Sequence, residues 1–392
     1  MVGTERWSAR ADGGVRVALW ALAAVAFAVR VVRSFRSPDW HFDFEVLYGG
    51  ALNLLERQSV YSDEFFLLTP SGLLAMAPFG LLDHDPAFYV WNTVSVLAVV
   101  LGVVLTLRLL GEPLGGSPAA GLVLALSILP PMSDTWHLGN INNSFLFALA
   151  AAFLIAVRND RRVLAGICLG LALAIKPVLV LLVVIPLLRR NWSTLAWAAA
   201  IPAVLNVAGL AVTPNRREFF DITVPGILHA REEFNSSLWA AGRYLDIPGP
   251  LVDVLRVAAV AAAVVVVWQL RRERDEVLAL AVGSGALLLA TFLSSSLSQA
   301  YYALFLVPLL MSVVRPGSPM RNPLAWVAVL LFTEAGRQVL DGSTVPDAFA
   351  VSRVAAGWGL LLVVVLVWTL RRRTTSEEPA LGDADLRRPA HV

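Results

Sequence analysis

Five polar patches interrupt a chain that is otherwise mostly apolar, and each carries side chains suited to handling a proton or an anion. Asp39, Asp43 and Glu45 supply carboxylates close to Tyr48, and Gly139-Asn140-Ile141-Asn142-Asn143-Ser144 supplies amides. Lys176 is a single lysine among 31 basic residues and sits between two apolar stretches. His229, Arg231 and Asn235 share one short segment, while Ser298-Gln299-Ala300-Tyr301-Tyr302 adds an amide and two phenols. Each patch alone has a plainer explanation: solvated acids, a polar turn opening a helix, a lysine snorkelling to a headgroup, a loop helix, an interfacial aromatic anchor. Together they hold the parts that sugar transfer from a lipid phosphate requires. An alcohol is a poor nucleophile at neutral pH, so one carboxylate within hydrogen-bond reach is the minimum base. The phosphate leaves as an anion, and a cation helps to hold it.

The elements that must position these groups are membrane helices. Of 392 residues 57% are hydrophobic, mean hydropathy is +0.70, and bilayer-length apolar runs recur from residue 15 to residue 370. Val15–Val29 reads as a retained first span rather than a cleaved leader, because the run continues through Val31 and Val32. Further spans are expected at 86–108, 119–135, 142–157, 194–212, 251–270, 277–294, 299–314, 323–340 and 348–370. Residues 163–188 form two halves too short to span, joined at Lys176-Pro177, and are expected to be a hairpin with Lys176 at its tip. The architecture predicted is therefore all-α and polytopic, with about twelve helical segments. Counting the hairpin puts the arginine clusters at 158–162, 189–190, 271–274, 315–321 and 371–373 on one side, which the positive-inside rule makes cytoplasmic. All five polar patches then fall on the opposite, extracytoplasmic face.

Residues 36–85 and 213–250 are the two long outer loops, expected to carry amphipathic helices. In the first, Phe44, Leu47, Tyr48, Ala51, Leu52 and Leu55 recur at helical spacing, which predicts a helix lying on the membrane surface. Asp43 immediately precedes it, where it could cap the first turn or face outward into the cavity the loop covers. One domain is expected over residues 1–373, followed by a disordered cytoplasmic tail, 374–392.

Net charge of +2 with arginines between apolar runs does not indicate nucleic acid. A single cysteine, Cys168, excludes an internal disulfide. No phosphate-binding glycine loop or HExxH occurs, the histidines lack ligand spacing, and no metal is expected. Asp83-His84-Asp85 is read as Asp85 capping a helix with Pro86 at its first position rather than as a metal-binding DxD.

The stretches D-F-E-V-L-Y-G-G-A-L-N-L from Asp43, T-P-S-G-L-L-A-M-A-P-F-G from Thr69, N-I-N from Asn140, I-K-P from Ile175, E-E-F-N-S-S from Glu232 and S-L-S-Q-A-Y-Y from Ser296 follow one another along nearly the whole chain. In this order they resemble the GT-C superfamily of membrane glycosyltransferases, in particular family 87 and its arabinofuranosyltransferase members. One departure is Thr69-Pro70-Ser71, where similar proteins tend to have Tyr-Pro-Pro. The resemblance implies an inverting enzyme of the cytoplasmic membrane acting on its outer face. Its implied donor is decaprenyl-phospho-arabinofuranose, its acceptor a cell-envelope arabinan that receives an α-1,3 branch, and it needs no cofactor. Asp43 is the expected base. Lys176, Arg231 and His229 are candidates for the donor phosphate, and Glu45, Tyr48, Asn140, Asn142, Asn235, Gln299, Tyr301 and Tyr302 for the sugars. A polyprenyl-phospho-mannose-dependent mannosyltransferase is the rival enzyme. A lipid-sugar flippase is the rival outside enzymes, opposed by the absence of repeated halves and by carboxylates that lie mostly in loops, with Glu334 and Arg337 spaced as an ion pair.

Overall fold

The computed structural model describes residues 2–36, 41–228, 235–333 and 348–377, and every regular element among them is helical. Helix α1 (Val2–Arg36) leads to α2 (Phe42–Leu55) and to α3 (Pro70–Met76), which runs into a 3-10 turn, Ala77–Leu81. Next come α4 (His84–Leu110), α5 (Ser117–Ile128), α6 (Pro130–His137), α7 (Ile141–Arg158) and α8 (Arg162–Ile175). A 3-10 stretch, Pro177–Val183, precedes α9 (Val184–Leu188) and α10 (Trp192–Val212). A π-turn, Phe219–Thr223, precedes α11 (Val224–Leu228), α12 (Leu238–Tyr244), α13 (Gly249–Leu270) and α14 (Glu276–Ser294). The chain finishes with 3-10 segment Ala300–Leu306, α15 (Val307–Met311), α16 (Pro323–Thr333) and α17 (Ala348–Glu377).

Seven of the described helices, α1, α4, α7, α10, α13, α14 and α17, are long and apolar enough to cross a bilayer, so this is a polytopic membrane protein. Helix α14 is the central post: 89% of its most apolar window is buried, against 11% in α10, which faces lipid.

The hairpin is present. Thr194 Oγ1, in the first turn of α10, donates to the carbonyl of Arg162 at the start of α8 (2.9 Å). The chain that leaves through α8 and returns through α9 therefore ends on the side where it began. At ~1.5 Å per α-residue and ~2.0 Å per 3-10 residue, each leg is ~21 Å long, short of a ~30 Å hydrocarbon core. Lys176 is extended (φ −157°, ψ 128°), as expected of a residue before proline.

Several expectations need correction. Residues 119–135 are not one helix, because Leu129 is extended before Pro130-Pro131 and α6 starts anew. Residues 299–314 are not a continuous α-helix but mixed 3-10 and α segments. That drawn-out form makes the piece ~27 Å long, enough to run from the Asp43 end to the arginine-rich end. The apolar face of α2 does not lie on a membrane: Phe44, Leu47, Tyr48 and Ala51 are buried against protein, in a cluster with Phe66, Leu73, Phe88 and Trp91. The cap position of α4 is Asp83, not Asp85. Helix α17 continues through Glu377, so the first residues of the expected tail are helical.

Candidate active site

Gly139 sets the site's frame. Its φ of +70° suits glycine, and a Cβ there would come within 2.7 Å of the Phe44 Cβ. The chain can thus press α2 onto the start of α7. Trp91 Nε1 donates to the Gly139 carbonyl (2.8 Å), and the amide of Asp43 donates to the Leu138 carbonyl (2.9 Å). His41 Nδ1 lies 2.8 Å from the His137 carbonyl on the same seam.

Asn140 then does two jobs. Its Oδ1 accepts the amide of Asn143 (2.9 Å) and so caps α7, which fixes which way the side chain faces. The Nδ2 left over donates to Asp43 Oδ2 (2.7 Å) and to Tyr301 Oη (3.0 Å). Tyr301 donates towards the same carboxylate oxygen at 3.5 Å and is also bonded to Gln299 Oε1. Asn143, which the sequence had not singled out on its own, binds Thr135 Oγ1 (2.7 Å) and the Tyr301 carbonyl (3.1 Å). Its position, three residues after the cap, was the available signal.

Asp43 is not a cap. The cap position of α2 is His41, no side chain caps that helix, and Asp43 lies in the first turn with its carboxylate turned to Asn140. Burial pushes the Asp43 carboxyl above the usual carboxylate range, opposed by the Asn140 bond, the nearby Lys176 charge and Tyr301. Lys176 ends α8, where the helix dipole favours a cation, and its Nζ sits 5.2 Å from the centre of the Tyr302 ring. Among the described residues no carboxylate pairs with it.

Thr69 and Ser71 both donate their hydroxyls to the Ala174 carbonyl (2.7 and 2.5 Å), and Asn206 Oδ1 accepts the Ser71 amide (3.2 Å). The Thr-Pro-Ser segment therefore ties down the last turn of α8, two residues before Lys176. The result is a buried floor of Asn140, Tyr301 and Tyr302 from which three half-buried side chains, Asp43, Lys176 and Gln299, remain reachable.

The other candidates stand elsewhere. Glu45 accepts from His84 (2.9 Å), which also bonds Asp85 (3.1 Å). The Tyr48 hydroxyl donates to the Leu82 carbonyl (2.9 Å). Asn142 lies beside the Asn140 cap, with a buried Oδ1 that finds no hydrogen-bond partner among the described residues. Asn235 clamps two segments together, donating to the Ser296 carbonyl (2.7 Å) and accepting the Ser298 amide (3.0 Å). His229, Arg231, Asp39, Glu334 and Arg337 lie outside the described residues. No group of three potential metal ligands occurs among the described residues.

Residues 66–296 match Glycosyltransferase family 87. The chain is 33% identical over 362 residues to an α-(1→3)-arabinofuranosyltransferase of Mycobacterium tuberculosis, covering 89% of this chain and 84% of that one. A protein of the same name from Mycolicibacterium smegmatis is 34% identical over 363 residues, covering 90% and 84%. A polyprenol-phosphate-mannose-dependent α-(1→2)-phosphatidylinositol pentamannoside mannosyltransferase of M. smegmatis is 27% identical over 380 residues, covering 89% of each chain.

Proposed function

The chain belongs to glycosyltransferase family 87, and from that premise we propose that it transfers arabinofuranose from decaprenyl-phospho-arabinofuranose to a cell-envelope arabinan, forming an α-1,3 branch with inversion. The reaction takes place at the outer face of the cytoplasmic membrane. The single observation that carries this reading is the Asp43 carboxylate, fixed by Asn140 and left partly open beside a lysine that pairs with no described carboxylate.

In the proposed step an acceptor hydroxyl gives its proton to Asp43 as its oxygen attacks the anomeric carbon. The bond from that carbon to the phosphate oxygen breaks, and its electron pair leaves with the polyprenyl phosphate. No acid is needed, because the leaving group is already a stabilised anion. Lys176 stands where it can hold that phosphate, and His229 and Arg231 are the other candidate donor-binding groups. A carboxyl raised by burial is the stronger base, while the hydrogen bond from Asn140 aims its oxygen. Gln299 offers an amide to the sugars.

The relative that uses polyprenol-phosphate-mannose shares much of the same length, so the decisive experiment offers the purified protein both radiolabelled lipid-phospho-arabinose and lipid-phospho-mannose. Arabinose transfer to a synthetic oligoarabinofuranoside is expected. Transfer of mannose alone would reverse the sugar assignment, and transfer of neither would remove the enzyme reading. A cysteine placed at exposed Ser62 should react with an impermeant maleimide in intact cells; reaction only after lysis would invert the membrane orientation.

A further inference from the structure

An open polar cleft of about 750 Å³ lies where α12 meets α13, apart from the Asp43 constellation. Its walls carry Trp239, Arg243, Asp246, Asp253 and Arg256. Arg256 bonds Asp253 (2.9 Å), and the Arg243 guanidinium lies 5.5 Å from the centre of the Trp239 ring. The Asp246 carboxylate makes no hydrogen bond or ion pair among the described residues.

Two features identify what would fit. Among the described lining residues two acids stand beside two guanidinium groups, so this lining favours neither a phosphate nor a metal cation by net charge. What it presents is the Asp246 carboxylate beside the Trp239 indole, an acceptor and a ring that suit adjacent hydroxyls and a sugar's C–H face. The cleft stands at the N-terminal end of the spanning helix α13.

The cleft is wired to the reacting centre through one segment. Arg256 Nε donates to the Ser294 carbonyl (2.8 Å) at one end of it. Asn235 and the Ser236 amide clamp its middle at Ser296 and Ser298, and Tyr301 meets Asp43 at the other end. The seven steps of chain from residue 294 to residue 301 reach at most about 25 Å even when fully extended, a span that an oligosaccharide of several units bridges.

We propose that this cleft is a distal subsite for the acceptor, holding sugars several residues away from the one being modified and so selecting long neutral glycans over short ones. This rests on the glycan-acceptor reading above. The test compares a disaccharide and an octasaccharide of arabinofuranose as acceptors for the full-length protein, wild type against Trp239→Ala and Asp246→Asn. Asp246 has φ +51°, a conformation that asparagine also tolerates, so the second variant preserves the backbone if the first fails to fold. The octasaccharide KM should rise about tenfold, the scale of losing one aromatic or charge-assisted interaction, with kcat, donor KM and disaccharide KM unchanged. An unchanged octasaccharide KM, or an equal shift for both acceptors, overturns the subsite. A wild type that transfers to neither acceptor overturns the enzyme reading instead. In that case saturation-transfer NMR of the octasaccharide still reads the cleft: a signal that disappears in Asp246→Asn supports it, and an unchanged signal overturns it.

Discussion

At the arginine-rich end of the bundle, Arg189 pairs with Glu276 (2.8 Å), Arg315 with Asp275 (2.8 Å) and Arg372 with Glu273 (2.9 Å). At the opposite end Asp43 meets an amide and a phenol, and Lys176 meets a ring. The difference shows in two aspartates that are both desolvated. Burial pushes Asp275 up, but Arg315 and the helix amides of Leu278 and Val277 more than reverse it, holding that carboxyl below the usual range. Asp43 has only partial compensation and stays above it. One end uses opposite charges to fasten helices together. The other leaves a carboxylate and an ammonium without an ion-pair partner among the described residues.

The contrast would be broken most severely by Asp43→Asn. Loss of a general base typically costs 10²–10⁴-fold in rate, so kcat should fall by at least about a hundredfold; retention of a tenth of the wild-type rate would move the base elsewhere. Stability should move the other way. A carboxyl whose folded pKa is raised stabilises the fold in its protonated form, and that contribution is lost as pH rises through the raised value. Asp43→Asn should therefore melt at or above wild type at neutral pH, with the gap closing as pH falls to about 4. Wild-type activity should in turn climb with pH through a midpoint above the ordinary aspartate range.

Lys176→Met sharpens the comparison on the cation side. Donor KM should rise by roughly ten- to a hundredfold, the scale of a charge-assisted hydrogen bond worth 1.5–3 kcal/mol, with an unchanged melting curve. Lys176→Arg should restore only part of this, since a guanidinium differs in shape. Unchanged donor affinity in Lys176→Met would shift the phosphate to Arg231. A smaller effect is expected of Ser71→Ala, which removes one of two hydroxyls on the Ala174 carbonyl: donor KM should rise severalfold, about 0.5–1.5 kcal/mol for one hydrogen bond. If kcat and donor KM are both unmoved, the Thr-Pro-Ser lock does not position Lys176.

The smallest effect belongs to the other end. Arg315→Ala should leave kinetics untouched and cost about 0.2–1 kcal/mol of stability, as partly exposed pairs do. Because the folded Asp275 carboxyl is depressed, its contribution is present above the ordinary aspartate range and disappears as pH falls through the depressed value. The variant and wild type should thus converge in acid, which melting curves across pH would show.

The sequence by itself determined the class and the hairpin. Apolar run length is a one-dimensional property, the Lys176-Pro177 step separates two runs each too short to span, and the arginine clusters sort the loops. Tertiary structure decided what each polar residue touches. Helical periodicity marks an apolar face on α2 without saying whether lipid or protein covers it, and Trp91 and Phe88, distant in sequence, supply the answer. Spacing likewise could not tell a capping Asp43 from a reachable one, because the deciding partner, Asn140, stands 97 residues away. Nor could it separate Asn140, which aims the carboxylate, from Asn235, which ties two segments together. Both are amides near helix starts, and only the closing of α2 onto α7 over Gly139 gives the first of them a carboxylate neighbour.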